Sequence, residues 1–414
     1  MHKLSHHDFV HFLVAISVLL LFGRLLGEIF RKFKQPIVIG EILAGILLGP
    51  TVFGTFAPDI FSNVIPQEQV ALALDGFTKI SVVLLLFVAG LEVELHIVLQ
   101  QSKSALLISL MSMIIPFTLG FCWPWYYPDF FHISPENKLV FSLFFGIALS
   151  ISALPVIAKI LIDTNLLRTT VGMLIISAAM VDDIIGWLVF SVVLSMMNEG
   201  KGQFEIWHTV ALTVGYLLFM LTVGKFLLNR VLPWVNKSLS FPGGILSLSA
   251  GFCFLAAAYT EFVGIHAIFG AFIFGVALGD SKHFSEKSRD IVHHFVSNIF
   301  APLFFVSIGL KVNFAQNFDL LLTLAVLGVA FIGKIIGGGV GARLGGFNIK
   351  QSAAIGFGLN ARGAMEIILG LLALEAGIIN KEMFVALVIM ALITSMTSGP
   401  MLKFFLRKQN VELH

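Results

Sequence analysis

Apolar runs of roughly 17 to 25 residues, separated by short polar segments, follow one another along almost the whole chain. Each run is long enough to cross a hydrocarbon core of about 30 Å as an α-helix, and it is too long for a strand of an outer-membrane barrel. Hydrophobic residues make up 57% of the 414 positions and charged residues only 12%, which excludes an ordinary soluble globular protein. The sequence therefore predicts an all-α polytopic membrane protein.

The boundaries of these runs predict thirteen transmembrane helices. The first run has little basic charge before it and no small-residue cleavage site after it, so we expect a membrane span rather than a removable signal peptide. The predicted helices cover residues 9–30, 36–53, 77–98, 104–124, 138–162, 168–197, 207–231, 243–261, 264–279, 289–310, 318–343, 349–376 and 382–406.

Lysines and arginines in short loops mark the cytoplasmic side of a membrane protein. Alternate loops of the thirteen-helix arrangement carry fifteen such residues on one side and six on the other, which predicts an N-terminus outside and a C-terminus in the cytoplasm. The fifteen are Arg31, Lys32, Lys34, Lys103, Arg168, Arg230, Lys237, Lys282, Lys287, Arg289, Arg343, Lys350, Lys403, Arg407 and Lys408, and the six are Lys3, Lys79, Lys138, Lys201, Lys311 and Lys381.

Three motifs of the first half recur in the same order in the second half, each seven helices later. Because seven is odd, corresponding helices cross the membrane in opposite directions, so the pattern predicts inverted repeats, an architecture typical of transporters. A chance likeness between glycine-rich membrane helices is the alternative, and three matches in one order argue against it. The matched segments are 36–50 with 266–280, 84–93 with 303–312 and, more weakly, 146–153 with 356–363.

The fifth and twelfth helices contain residues that favour an interruption. In the fifth, Ser150 and Ser152 precede Pro155, which removes a backbone donor and disfavours helical geometry at the residue before it. In the twelfth, glycines surround a polar group, and Arg362 and Glu366 are spaced to form a pair on one helix face that stabilises the broken centre. A simple proline kink is the alternative reading of the fifth helix. The residues expected to support the two breaks are Ser150, Ser152, Pro155, Asn360, Arg362 and Glu366.

Two adjacent carboxylates, Asp182 and Asp183, lie within the apolar run 171–196. One such group at mid-membrane costs about 2.5 to 3.5 kcal/mol, so the pair requires partners, water or a bound cation. Lys334, near the middle of the eleventh predicted helix, is the nearest candidate partner, because it lies too far from either helix end for its ammonium to reach the interface.

Protons and a monovalent cation are expected to compete for this site. Two ionised carboxylates so close together repel each other, and either a proton or a cation relieves that repulsion. Adjacent helical residues diverge by about 100°, so one aspartate can bind the ion while its neighbour pairs with Lys334. The residues themselves leave open which aspartate does which.

The other charged and polar residues of the apolar runs carry no ligand spacing. Cys122 and Cys253 lie far apart in sequence, so we expect them to pack in the interior rather than form a disulfide or metal site. The remaining groups are expected near helix ends, solvated at the interface, and they include Glu41, Glu92, Glu94, Glu375, His96 and His266.

Four segments together resemble the cation:proton antiporter-2 superfamily, which comprises monovalent cation/proton antiporters. They are residues 150–161, similar to a crossing-helix motif, 178–183, similar to a double-aspartate motif, 333–337, similar to a lysine helix, and 360–366, similar to a second crossing helix. The resemblance covers nearly all of the chain. It implies a sodium/proton antiporter fold, in which two discontinuous helices cross.

The resemblance also assigns roles to residues. It implies that Asp183 is the carboxylate that binds the proton and the monovalent metal cation, that Asp182 forms a salt bridge with Lys334, and that the region of Ser150 and Ser152 completes the site. It implies a homodimer in the lipid bilayer of a bacterial inner membrane, with an elevator-like displacement of a core domain.

The resemblance further implies how the chain is divided. Residues 1–100 (helices 1–3) and 236–312 (helices 8–10) are expected to form a dimerisation scaffold. Residues 101–200 (helices 4–6) and 313–414 (helices 11–13) are expected to form the core transport domain, and residues 201–235 a linker helix.

We therefore expect a secondary-active antiporter that exchanges Na⁺ or K⁺ for H⁺ and serves pH homeostasis. We expect no enzyme activity, no cofactor and no nucleic-acid partner. Two other classes share some of these features, a sodium-coupled organic-anion symporter of similar fold and a regulated potassium channel or efflux system.

Overall fold

The computed structural model describes residues 5–33, 35–58, 68–93, 103–131, 133, 137–164, 166–167, 169–196 and 203–406. Several loop residues used to predict the orientation, among them Lys34, Arg168, Lys201 and Arg407, lie outside this part of the chain, as do Glu94 and His96.

The described residues fold into α-helices, with π-helical turns at Met220–Gly224 and Val296–Phe300 and a 3-10 turn at Pro128–Phe131. A one-turn helix, Phe53–Phe56, follows the second helix. In chain order the helices are α1 (His6–Lys32), α2 (Ile37–Leu48), α3 (Glu68–Leu91), α4 (Lys103–Tyr126), α5 (Lys138–Ser150), α6 (Leu154–Asp163), α7 (Thr170–Met196), α8 (Gln203–Phe219 with Met220–Gly224 and Lys225–Ser238), α9 (Gly243–Phe262), α10 (Ala267–Gly279), α11 (Glu286–Lys311), α12 (Leu320–Leu344), α13 (Ile349–Leu359), α14 (Ala364–Glu375) and α15 (Lys381–Leu406).

Eleven helices in the described part of the chain are long and apolar enough to span a membrane, with α5 and α6 counted together as one. The pair α13 and α14, bent by 47° at its break, makes a twelfth, and α10 is a shorter apolar helix of 13 residues. All of these overlap the predicted segments in order, so the prediction of thirteen spans is compatible with the structure. The protein is an all-helical integral membrane protein.

Several helices begin at a side chain that caps the backbone. Ser5 and Asp8 form a reciprocal capping box at the start of α1. Asp319 accepts a hydrogen bond of 2.9 Å from the backbone N–H of Leu322 at the start of α12. Asn348 accepts one of 3.0 Å from that of Gln351 at the start of α13. These caps satisfy helix N–H groups that have no partner within the helix.

The third helix begins nine residues earlier than predicted, at Glu68 instead of residue 77. The predicted helix begins after Asp75, and Lys79 counts among the predicted loop lysines. In the structure the Asp75 carboxylate lies 2.9 Å from the Lys79 ammonium and 3.0 Å from that of Lys311. The ion pairs let charged residues stay in the helix, and Lys79 no longer counts as a loop lysine.

Glu41 is the clearest error among the predicted interfacial groups. It lies in the second turn of α2 and is only 3% exposed, so it is not solvated at a helix end. Its position follows from close packing of α1 on α2, since a Cβ placed on Gly27 would lie 3.6 Å from the Glu41 Cγ. By contrast, Glu92 is partly exposed and pairs with His293 at 3.0 Å, and Glu375 is exposed.

The helices cluster into two compact units. The first contains residues 1–94 and 211–317, and the second contains residues 95–210 and 318–414. Helix α8 passes from one unit to the other at residues 210 and 211.

Within the first unit, the inverted repeat is visible as two equivalent glycine contacts. A Cβ placed on Gly45 of α2 would lie 3.0 Å from the Cα of Gly309 in α11. A Cβ placed on Gly275 of α10 would lie 3.1 Å from the Cα of Gly90 in α3. Gly45 matches Gly275 in the sequence repeat and Gly90 matches Gly309, so each repeat packs one helix against the complementary helix of the other.

Within the second unit, both helices predicted to be discontinuous are broken. The first break, residues 151–153, separates α5 from α6, and Pro155 lies in the first turn of α6, where a missing N–H costs nothing. The second break, residues 360–363, separates α13 from α14. The two breaks meet, because the backbone N–H of Ala153 donates a 3.0 Å hydrogen bond to the carbonyl of Ala361.

A row of glycines brings α12 close to α4. A Cβ on Gly337 would lie 2.6 Å from the Met111 carbonyl oxygen, and one on Gly341 would lie 2.7 Å from the Ile108 Cα. Small residues every fourth position let two membrane helices approach at their backbones. Lys334 is on this stretch of α12 and is therefore held within the second unit.

Candidate cation-binding site

Both aspartates of the double-aspartate motif are fully buried on α7, near the middle of that helix. The Asp182 carboxylate lies 2.7 Å from the Nζ atom of Lys334, and both side chains are shielded from solvent. A buried ion pair of this kind is stable only if its remaining polar atoms are also satisfied.

The Asp182 carboxylate also accepts hydrogen bonds from three serine hydroxyls. Ser152, from the first break, donates at 3.1 Å, Ser112 at 3.2 Å and Ser109 at 3.3 Å. The carboxylate therefore has four donors from three separate segments. Sequence reasoning missed Ser109 and Ser112. Their spacing of three, which puts both on one face of the apolar helix α4, was the available signal.

Lys334 is equally well satisfied. Besides Asp182 it donates to the carbonyl oxygen of Ser112 at 3.1 Å and to that of Ser150. An ammonium has three protons, and each has an acceptor here. The side chain is fully buried, so it does not reach toward a membrane interface, and it ties α12 to α4, α5 and α7.

Asp183 follows Asp182 and is turned by about 100° around α7, so the two carboxylates leave the helix in different directions. This arrangement gives the pair two different environments within one site. The division of roles suggested by the resemblance, with Asp182 on Lys334 and Asp183 on the cation, remains a prediction.

The end of α5 at the first break is held by two cations from the second repeat. The guanidinium of Arg362 donates to the carbonyls of Ala148 and Leu149, each at 2.6 Å, and Lys334 donates to that of Ser150. Unpaired carbonyls at a helix C-terminus carry partial negative charge, so cations there are stabilising.

The structure does not form the side-chain pair predicted for Arg362 and Glu366. No ion pair within 4.0 Å joins them in the described part of the chain. The predicted pair uses the spacing of four residues that places two side chains on one helix face, whereas Arg362 lies in the non-helical break and only Glu366 is helical. Glu366 instead accepts a 2.8 Å hydrogen bond from the backbone N–H of Gly363 and caps α14. Each residue therefore stabilises a different helix end.

Other residues predicted to support the breaks behave differently from one another. The Ser150 hydroxyl donates to the carbonyl of Gly146 at 2.6 Å and to that of Met113 at 3.1 Å. Pro155 starts α6. Asn360 is fully buried, and its side-chain amide makes no hydrogen bond with any residue that the structure describes.

The chain is similar to known ion exchangers over almost all of its length. The family described as "Sodium/hydrogen exchanger, transmembrane" matches residues 16–408. The Na⁺/H⁺ antiporter NhaS4 of Synechocystis is 32% identical over 396 residues, which are 94% of this chain and 95% of that protein. The K⁺/H⁺ antiporter 1 of Saccharomyces cerevisiae is 27% identical over 97% of this chain. This chain spans about half the length of that yeast protein, 47%, and also 47% of Cation/H⁺ antiporter 17 of Arabidopsis thaliana, which is 32% identical.

A solved structure shares the fold. The sodium proton antiporter MjNhaP1 of Methanocaldococcus jannaschii aligns over 97% of both chains with a TM-score of 0.68 at 15% sequence identity. At this level of sequence identity the match shows a shared fold. The chain belongs to the sodium/hydrogen exchanger family, within the superfamily of monovalent cation:proton antiporters.

Proposed function

We propose that this protein is a secondary-active antiporter that exchanges a monovalent cation, Na⁺ or K⁺, for H⁺. The observation that carries the proposal is the buried double aspartate, of which one carboxylate is neutralised by Lys334 and the other lies beside it on α7. Two carboxylates buried side by side at mid-membrane repel each other when both are ionised, and a proton or a cation relieves that repulsion. The names of the similar proteins, which include both Na⁺/H⁺ and K⁺/H⁺ antiporters, support the same class.

Asp183 is the proposed carrier of the cation and of the proton. When it is deprotonated it attracts a cation, and when it is protonated it releases one, so the two substrates compete for one site. Asp182 and Lys334 form a hydrogen-bonded ion pair with no net charge next to Asp183 on α7. This competition requires that the apparent KM for the cation rises as the pH falls.

The two compact units suggest how alternating access is divided. We propose that the second unit, which holds the aspartates and both breaks, is the core transport domain, and that the first unit is the scaffold of a homodimer. In an elevator mechanism the core moves as a body and carries the cation across the membrane. These boundaries lie close to the division at residues 1–100, 101–200, 201–235, 236–312 and 313–414 expected from the resemblance.

The proposed location is a bacterial inner membrane, with the N-terminus outside and the C-terminus in the cytoplasm. The excess of lysines and arginines counted for that side in the sequence supports it. A reporter fused to the C-terminus that is active only in the cytoplasm tests the orientation, and a reporter active only outside would contradict it.

Exchange in proteoliposomes tests the function. Vesicles loaded with a pH dye are given a pH gradient, and Na⁺, K⁺ and Li⁺ are then added in turn. We expect at least one cation to collapse the gradient with the wild type, and Asp183→Asn to behave like protein-free vesicles while remaining folded by size-exclusion profile. Collapse by Asp183→Asn at the wild-type rate, or cation flux without obligatory proton movement, would contradict the proposal.

Distances between spin labels test the elevator. One label goes on Phe56 in the first unit and one on Leu344 in the second, both exposed, in a background without the two cysteines. We expect the distance distribution to change between high pH with cation and low pH without it. Pairs within one unit, such as Leu106 with Leu344, should stay constant. A constant distance between the units would contradict the elevator.

A further inference from the structure

The two breaks occupy equivalent positions in the inverted repeat, but their equivalent polar residues do different things. The match of segment 146–153 with segment 356–363 places Ser150 opposite Asn360, each at the C-terminal end of the first half of a broken helix. The polar groups of Ser150 have hydrogen-bond partners. Its hydroxyl lies within hydrogen-bond distance of the carbonyls of Gly146 and Met113, and its own carbonyl accepts from Lys334.

Asn360 does not hold the second break together through its side chain. Its backbone N–H donates to the carbonyl of Phe357 at 3.3 Å, but neither the carboxamide oxygen nor the nitrogen has a hydrogen-bond partner among the described residues. The residue is fully buried. A buried amide without partners costs roughly 1 to 3 kcal/mol, so an asparagine kept here for packing or for capping alone is an unfavourable choice.

The backbone at Asn360 is linked to the segment that contacts Asp182. The next residue, Ala361, accepts the backbone hydrogen bond of Ala153, and the residue before Ala153 is Ser152, whose hydroxyl bonds to Asp182. Asn360 and Ser152 are therefore the chain neighbours of two residues joined by a backbone hydrogen bond, and the Ser152 hydroxyl contacts Asp182 of the double-aspartate motif.

The electrostatics of the two helix ends also differ. The C-terminal carbonyls of α5 are bonded to Arg362 and Lys334. In the described part of the chain, no lysine or arginine donates to the C-terminal carbonyls of α13. The neutral groups that donate to carbonyls of the break are the Ala153 N–H, at Ala361, and the Ser395 hydroxyl, at Arg362. The partial negative charge of that helix end is thus left without a fixed cation, and it favours a mobile one.

We propose that the carboxamide oxygen of Asn360 is a ligand of the transported cation, which binds between the double aspartate and the C-terminal end of α13. Amide oxygens and carboxylates suit small monovalent cations, and the number and strength of oxygen ligands influence the choice between Na⁺ and K⁺. Asn360 is then a residue that sets cation affinity and selectivity. This inference rests on the proposed cation exchange.

The near-isosteric variant Asn360→Leu separates a ligand from a structural residue. Leucine fills the same space without polar atoms, so in cation-free buffer we expect a Tm equal to or above that of the wild type, because an unpaired buried amide has been removed. Adding Na⁺ or K⁺ should raise the Tm of the wild type, and the variant should need about tenfold more cation for the same rise in Tm. A lower Tm in cation-free buffer together with an intact cation response would overturn the inference.

Kinetics in proteoliposomes give a second measure. We expect Asn360→Ala to raise the KM for the cation about tenfold at constant pH, as loss of one ligand predicts, and Asn360→Ser, which keeps an oxygen, to recover part of that affinity. An unchanged KM and unchanged selectivity in Asn360→Ala would overturn the assignment.

Asn348, the exposed asparagine that caps the other end of α13, is the matched control. Asn348→Ala should lower the Tm without changing the KM or the cation response, which is the reverse of the pattern for Asn360→Leu. If the wild type itself shows no cation exchange and no cation response, the proposed function fails. If the wild type exchanges normally and Asn360→Leu does so with the same KM, only the role of Asn360 fails.

Discussion

The two breaks of the second unit have the same backbone plan and opposite electrostatics. At the first, residues 151–153, positive side chains from the second repeat bind the carbonyl end of α5. Helix α6 begins at Leu154, with Pro155 in its first turn and no side-chain cap. At the second, residues 360–363, the negative Glu366 caps the N–H end of α14, while the carbonyl end of α13 has no lysine or arginine donor in the described part of the chain.

This difference distinguishes the backbone features that both repeats share from the side chains that differ between them. Duplication explains why both helices break, why the breaks meet at Ala153 and Ala361, and why the glycine contacts of the first unit occur twice. It does not explain the different side chains. Charged side chains bind two of the four helix ends, the carbonyl end of α5 and the N–H end of α14. The α6 start has no side-chain cap, and the carbonyl end of α13, which has no lysine or arginine donor among the described residues, is where the cation is proposed to bind. The cation is therefore expected at the second break, where the side chains differ from those of the repeat-related first break.

The largest effect on stability should come from the cation at the first break. Arg362→Ala removes two buried hydrogen bonds from a charged donor, each worth about 1.5 to 3 kcal/mol, and leaves the carbonyls of Ala148 and Leu149 without those partners. The free energy of unfolding should therefore fall by about 3 to 5 kcal/mol. The loss is measured as the fraction folded after heating, by fluorescence size-exclusion chromatography. Arg343→Ala is the control, since exposed Arg343 also donates to one carbonyl at a helix end. Equal effects of the two variants would show that burial of Arg362 is unimportant.

A somewhat smaller effect is expected from the ion pair shared by the first break and α7. Lys334→Gln should cost about 2 to 3 kcal/mol, because it leaves Asp182 charged and bonded only to serines. Asp182→Asn in the same chain should restore part of that loss, and the double-mutant cycle gives the coupling energy. The pH dependence of exchange should also change in Lys334→Gln. Additive losses in the cycle, with an unchanged pH profile, would argue against a functional pair.

The cap of the second break should matter less. Glu366→Ala removes one hydrogen bond to the Gly363 N–H at the start of α14, so we expect a loss of about 1 kcal/mol, typical of an N-cap. Glu366→Gln keeps an acceptor and should lose less than Glu366→Ala. Thermal unfolding of the two variants side by side measures the difference. A loss as large as that of Arg362→Ala would mean that the two breaks are supported equally.

The smallest effect is expected at Pro155. The extended conformation of Ala153 and its bond to Ala361 hold the break, so Pro155→Ala should change the free energy of unfolding by no more than about 1 kcal/mol and keep exchange near the wild-type rate. Tm and exchange rate are the measurements. Loss of exchange in a folded Pro155→Ala protein would instead make the proline the cause of the break.

Features that depend on local sequence or on repeat spacing were predictable. Membrane helices followed from apolar run length, the breaks from Pro155 and from the glycines around Asn360, and the burial of Lys334 from its distance to both helix ends. Each of these is a property of one segment, or of two segments related by the repeat.

Features that depend on contacts between distant segments were not predictable. The early start of α3 depends on the ion pair of Asp75 with Lys311, and the burial of Glu41 depends on how closely α1 approaches α2. The true partners of Arg362 are carbonyls more than two hundred residues away, which no spacing within its own helix indicates. Side chains of Ser109 and Ser112 reach Asp182 only because α4 packs beside α7, which lies about seventy residues away in the chain.

Proton release on cation binding directly measures whether a cation and a proton compete for Asp183. Purified protein in detergent is held at weakly buffered, mildly alkaline pH, and Na⁺ or K⁺ is added while the pH is recorded. The account predicts that the wild type releases protons as the cation binds and that Asp183→Asn releases none. Cation binding without proton release, or equal release from Asp183→Asn, would contradict it.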